Sequence, residues 1–120
     1  MEIPENKMPI YKPPSVEDQP TPEIHNWSVR EIHNGGRHIV GVIPESGHDG
    51  RVSSPIQKVE GNILTTRSGR RYKLIGHSGS HPDGEYVWSI WCRANRIDLD
   101  KTIDVSNEYE GDNRDPTETG

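Results

Sequence analysis

Between Thr65 and Lys73 the chain reads Thr65-Thr66-Arg67-Ser68-Gly69-Arg70-Arg71-Tyr72-Lys73, which packs four cations and three aliphatic hydroxyls into nine residues. Arginine presents a planar fork that matches phosphate, and hydroxyls and turn N–H groups add donors. Gly69 would let the backbone come close to a ligand. Tyr72, with Trp88 and Trp91 further along, could supply ring faces for a base. The pattern suits a nucleotide phosphate and its base. The expected ligand-binding residues are Thr65, Thr66, Arg67, Ser68, Arg70, Arg71 and Tyr72. The same residues also describe a solvated hairpin tip whose charges keep an edge strand soluble, and residue chemistry alone leaves both readings open.

Other chemistry is poorly supported. The six histidines include His25, His33 and His38, then His48, then His77 and His81. The last pair sits four apart, but Ser78-Gly79-Ser80 between them is loop sequence, whereas a zinc site needs three or four ligands at regular spacing. Solvent-facing histidines and no metal are expected. Cys92, between Trp91 and Arg93, reads as a small buried hydrophobe and not as a nucleophile. Ser46, Ser68 and Ser78 lie in glycine-containing turns without the strand–turn–helix setting of a nucleophile elbow. The chain is therefore expected to be a binder and not an enzyme, with no cofactor.

The elements that must position these residues follow from apolar spacing and turn residues. Trp27 and Val29 alternate within Ile24–Ile32, as on one strand face. Asn34-Gly35-Gly36 then marks a hairpin back into Arg37–Ile43. Pro44–Gly50 reads as a loop, and Arg51–Val59 as a third strand interrupted by Pro55. Glu60-Gly61-Asn62 turns the chain into Ile63–Arg67, which Ser68-Gly69-Arg70 joins to Arg71–Ile75. Beyond Gly76, residues Val87, Ile90, Trp91, Ala94 and Ile97 follow helical spacing, and Pro82-Asp83 suits a first turn. The same residues include strand formers, so a strand over 84–96 is the alternative. The expected fold is α+β: a small antiparallel sheet of four to five strands, with a C-terminal helix over residues 83–96 packed on it. Trp27 and Trp91 are its expected core aromatics.

Composition bounds the rest. Of 120 residues, 28% are apolar and 28% charged, with ten Pro, so the chain does not read as globular from end to end. Residues 1–22 hold six of those Pro and read as an extended arm. Residues 104–120 carry six acids against one base and read as a disordered acidic tail. Residues 23–103 form the folded domain and are mildly basic, although the whole chain has a net charge of −5. A core this small gains from oligomerisation or from packing by the arm, so a homo-oligomer is an expected partner state. No run of ~18 apolar residues exists to span a membrane. The start, MEIPENKMPI, has neither a positive nor an apolar signal region. A cytoplasmic location is expected, in a host cell if the chain is phage-encoded.

Gly47-His48-Asp49-Gly50, Ser53-Ser54-x-Ile56 and Glu60-Gly61-Asn62-x-x-Thr65-Thr66-Arg67-Ser68-Gly69-x-x-Tyr72-x-Leu74 together resemble a pattern of small bacterial and phage proteins. That pattern runs Gly-His-Pro-x-x-x-Asp-Gly, Thr-Ser, Gly-x-x-Val-x-Thr-x-Ser-Gly-Ser-x-Tyr-x-Leu. Pro82-Asp83-x-Glu85-Tyr86 resembles the start of that family's C-terminal helix. The resemblance covers roughly residues 40–100. It departs in a shortened loop at Gly47–Gly50 and in Arg70 where Ser is usual. Proteins of this architecture are similar to phage Thoeris anti-defence proteins, which sequester a cyclic nucleotide signal. The resemblance implies an anti-defence protein that binds a cyclic or phosphorylated nucleotide without catalysis, and it transfers no ligand residue. Two further expectations stay open. One is a protein-interaction inhibitor of a host defence nuclease, acting through acidic surfaces like an anti-CRISPR protein. The other is a small nucleic-acid-binding β domain, which the net charge disfavours.

Overall fold

The computed structural model describes residues 21–47 and 49–110. The first twenty residues, His48 and the last ten lie outside the described residues, and so do the expectations placed on them.

Among the described residues the fold has seven strands and one α-helix, besides short 3-10 turns: β1 (Glu23–Glu31), β2 (Arg37–Ile43), β3 (Asp49–Val52), β4 (Ile56–Glu60), β5 (Ile63–Thr66), β6 (Arg71–Leu74), α1 (Pro82–Ala94) and β7 (Ile103–Asp104). The strand order is β3-β2-β1-β6-β5-β4, with β7 paired to the other side of β1's end. The sheet is thus larger than the expected four to five strands. It is also mixed, because β1 pairs with β6 in parallel at Glu23↔Lys73 and Ile24↔Leu74. Such a pairing joins residues some fifty apart in sequence, and no local turn signal announces it.

The expected third strand is two strands. Pro55 cannot donate to a ladder, so the run breaks at Ser53-Ser54-Pro55 into β3 and β4. These two strands lie at opposite ends of the strand order. In a flat sheet they would sit roughly 24 Å apart, five inter-strand spacings. The link from Val52 to Ile56 can span only about 14 Å. The sheet therefore curls round on itself. The ladders on either side of the seam run on into this link: Ser53 N donates to Ile39 O of β2 at 2.9 Å, continuing β2–β3, and Arg67 N, just past β5, donates to Pro55 O at 2.8 Å, continuing β4–β5.

Curling divides the apolar residues into two clusters. Inside lie Ile24, Trp27, Val29, Ile39, Ile43, Leu64, Tyr72, Leu74 and Val105. Outside, under the helix, lie Ile32, Val40, Trp88 and Cys92, with Val52, Trp91 and Ile97 packed against them. β2 serves both clusters. Ile39 and Ile43 face inward, while Val40 faces the helix, as a two-residue period requires. His38 shares Val40's face.

Helix α1 covers Pro82–Ala94, close to the expected span, but it is rotated. Its buried residues are Gly84, Trp88 and Cys92, whereas Ile90 is 42% exposed and Ala94 is exposed. The cause is close backbone approach. A Cβ on Gly50 of β3 would lie 2.3 Å from Asp83 O, and one on Gly84 would lie 3.3 Å from Gly41 O. Only Gly at these points lets helix and strands touch, which sets which side of α1 faces the sheet. Trp88 consequently takes the core place expected for Trp91. Trp27 is fully buried as expected, its Nε1 donating to Gly76 O at 3.0 Å.

The folded unit also runs past residue 104, where composition placed the start of the tail. Val105 and Ser106 are buried, and Ser106 Oγ accepts from Val29 N at 2.9 Å. No described helix is long and apolar enough to cross a membrane.

Candidate functional site

The β1–β2 hairpin, the C-terminal end of α1 and the loop after β5 border a cavity of about 640 Å³ that is open to solvent. Ile32 to Gly36 and His38 form one side, Pro55 and Arg67 a second, and Trp91, Asn95 and Ile97 a third.

Each wall is held by local geometry. At the hairpin tip Gly35 has φ +90°, which a side chain would strain. Asn34 Oδ1 accepts from Gly36 N at 2.8 Å and fixes the turn. Trp91 stacks on buried Trp88, ring centroids 5.2 Å apart and planes 9° apart. His38 lies 4.6 Å from the Trp91 ring at a tilt of 52°. Arg30 is over the Trp88 ring and forks onto both carboxylate oxygens of Glu85 one turn earlier, locking the helix against β1. Asn95 caps the helix end by donating to Trp91 O at 2.8 Å.

His38 is 3% exposed, which overturns the expectation that the histidines face solvent. Its Nδ1 lies 2.8 Å from Ser53 O. Burial, which strips water from the charged ring, holds its pKa below the usual 6.5; the Ser53 bond opposes this, and the nearby Arg67 charge adds to it. Sequence reasoning overlooked His38. The signal was present: His38 stands two residues before Val40, on the strand face that a helix was expected to cover.

The expected binding residues part company here. Arg67 lines the cavity, its backbone pinned by Pro55 O. Thr66 is buried; its Oγ1 donates to Arg70 O at 3.1 Å and lies 3.3 Å from Ser68 Oγ, so it shapes the turn. Ser68 N donates to Ser54 Oγ at 3.1 Å, tying that turn to the seam. Thr65 and Arg71 face each other in register across β5 and β6; Thr65 is half-buried and Arg71 exposed, and neither lines the cavity. Arg70 is half-buried and also does not line it. Tyr72 is 3% exposed inside the curled sheet, where its hydroxyl accepts from Arg51 Nη1 at 3.4 Å, so its ring offers no open face. Trp88 is equally closed, and Trp91 alone of the three suggested stacking rings reaches the cavity. The three arginines therefore do not converge.

Cys92 is buried, and burial pushes its thiol up from the ordinary value. Among the described residues no group of three or more His, Cys, Asp or Glu is placed to hold a metal ion. The lining brings together an aromatic ring at Trp91, a cation at Arg67 and polar groups at His38 and Asn34. No family model matches the chain, and neither a curated protein nor a solved structure shows significant similarity to it.

Proposed function

We propose that the protein binds and sequesters a nucleotide-type ligand without catalysis, in the manner of a phage anti-defence protein that removes a nucleotide-derived immune signal. The observation that carries this reading is that Arg67 and Trp91 line one concavity of about 640 Å³. That volume is in the range of small-molecule sites, roughly 300–1,000 Å³. Cation and aromatic face are the two groups a phosphate and a base require. They come from distant segments, so their meeting is a product of the fold and not of sequence adjacency.

Thermal shift and calorimetry on the full chain, with a panel of mononucleotides and cyclic dinucleotides, test the reading. A sequestering protein binds tightly, and ligand at a hundred times Kd raises stability by about 2.7 kcal/mol. Arg67→Ala should weaken binding by about tenfold to a hundredfold, through loss of a charge-assisted hydrogen bond. Arg71→Ala should bind as the parent does. A flat response across the panel, or unchanged binding in Arg67→Ala, removes the proposal.

A further inference from the structure

His38 uses one ring nitrogen and leaves the other idle. Ser53 O is a carbonyl and can only accept, so Nδ1, 2.8 Å away, carries the hydrogen. In the neutral ring Nε2 is then a bare acceptor. It is buried and has no hydrogen-bond partner among the described residues. Such an acceptor destabilises the fold unless something meets it.

The position of Nε2 says what could meet it. The two nitrogens lie on opposite sides of the imidazole, so Nε2 points away from Ser53 and toward the β1–β2 turn. A methyl built on Gly36 would lie 3.4 Å from it. Gly36 is itself a wall of the cavity. His38 itself lines the cavity beside Gly36, with Asn34 Oδ1 and Ile32 Cγ1 around the same spot.

We propose that His38 Nε2 is the base-reading group of this site, and that the ligand presents to it an exocyclic amino group of a purine nucleotide. This rests on the nucleotide reading above and narrows it. An exocyclic amino nitrogen stands one bond outside the ring and carries two N–H donors, which suits an acceptor recessed in the cavity wall beside Gly36. The base face then lies on Trp91, 4.6 Å from the His38 ring, and the phosphate lies at Arg67. Hydroxyl-free, amino-free bases would leave Nε2 unpaired in the complex and bind more weakly. Recognition by satisfying a buried acceptor discriminates sharply, because the wrong ligand leaves it without a partner.

The test uses two pairs of ligands that differ only in the amine: AMP against purine riboside 5′-monophosphate, and GMP against IMP. Each is titrated calorimetrically into the full chain, into His38→Phe and into Gly36→Ala, with melting curves for each variant. The parent protein should prefer the amino member of at least one pair by about tenfold to a hundredfold. His38→Phe keeps a ring beside Trp91 but has no acceptor, and it should bind both members of that pair alike. Gly36→Ala sets a methyl over Nε2 and should weaken the amino member selectively, which serves if His38→Phe does not fold. No preference within either pair overturns the inference and points to buried water at Nε2. A preference that survives in His38→Phe or Gly36→Ala overturns it as well. Binding that ignores the amine yet falls in Arg67→Ala leaves the broader reading standing. Failure of all four ligands to bind overturns this inference, and a flat response to the cyclic dinucleotides as well overturns the nucleotide reading.

Discussion

Trp88 and Trp91 stack on one another, yet they predict different mutants. Trp88 is 2% exposed, and Trp88→Ala should cost about 3–5 kcal/mol, enough to unfold a domain of this size. Trp91 is half-buried along the cavity. Trp91→Ala should retain a cooperative denaturant transition while losing nucleotide affinity, and the pair of measurements separates packing from binding. His38 makes a prediction in pH. Its folded-state pKa lies below the 6.5 of the free ring, so the unfolded chain binds more protons in the interval between the two. Stability should therefore be full above about pH 6.5 and fall as pH drops through that interval. Glu110, whose carboxyl the Ser78 hydroxyl holds below the usual 4.5, adds a contribution that is lost only as pH falls below about 4.5. Denaturation midpoints across pH for the parent and His38→Phe check this: the variant should lose the upper slope and keep the lower one. Of the seven residues expected from sequence to bind, Arg67 alone lines the cavity. The others could not be sorted in advance, because the register across the Ser68-Gly69 turn decides which side chains share a face, and tertiary bonds to Ser54 and Pro55 decide that register.

At the scale of elements, α1 shows what periodicity can and cannot say. Its extent was legible from Pro82, Asp83 and the apolar spacing that follows. Its rotation was not, because two of the three residues it buries, Gly84 and Cys92, carry little apolar signal beside Ile90 and Ile97. The deciding contact is steric and non-local: Gly50 against the Asp83 carbonyl. Gly50→Ala should push the helix from the sheet and cost about 1–3 kcal/mol as an overpacked contact. Its melting curve should show this, together with increased accessibility of Cys92 to a thiol reagent. Gly47→Ala is the matched control for a lost glycine, since a Cβ there meets nothing within 4 Å although its φ of +77° adds some strain. The hairpins were legible for the opposite reason. Asn34-Gly35-Gly36 and Ser68-Gly69 are local signals, and the strands they join pair where expected.

Over the whole molecule, the acidic composition after residue 103 concealed a structural segment. β7 pairs with Arg30 and Glu31 of β1, Ser106 satisfies Val29 N, and Arg37 reaches Glu31, Glu108 and Tyr109. Those partners hold the Arg37 guanidinium further above its ordinary pKa, Glu108 contributing most. A chain ending at Asp104 should melt well below the full chain, since it bares a buried N–H and opens the inner cluster at Val105. Equal melting temperatures would show that this segment adds nothing. The seam between β3 and β4 has a further consequence, in the order of events. Ser53 holds the His38 ring, Ser54 holds the turn at Ser68, and Pro55 holds the Arg67 backbone. Three successive residues thus clamp two walls of the cavity, Ser53 through the β2–β3 ladder and Ser54 and Pro55 through the β4–β5 ladder. The cavity is complete only when both of these ladders are in place. A bound ligand should accordingly slow hydrogen exchange at the Ile39, Ser53 and Arg67 amides together, and leave the folding rate of the chain unchanged while slowing its unfolding.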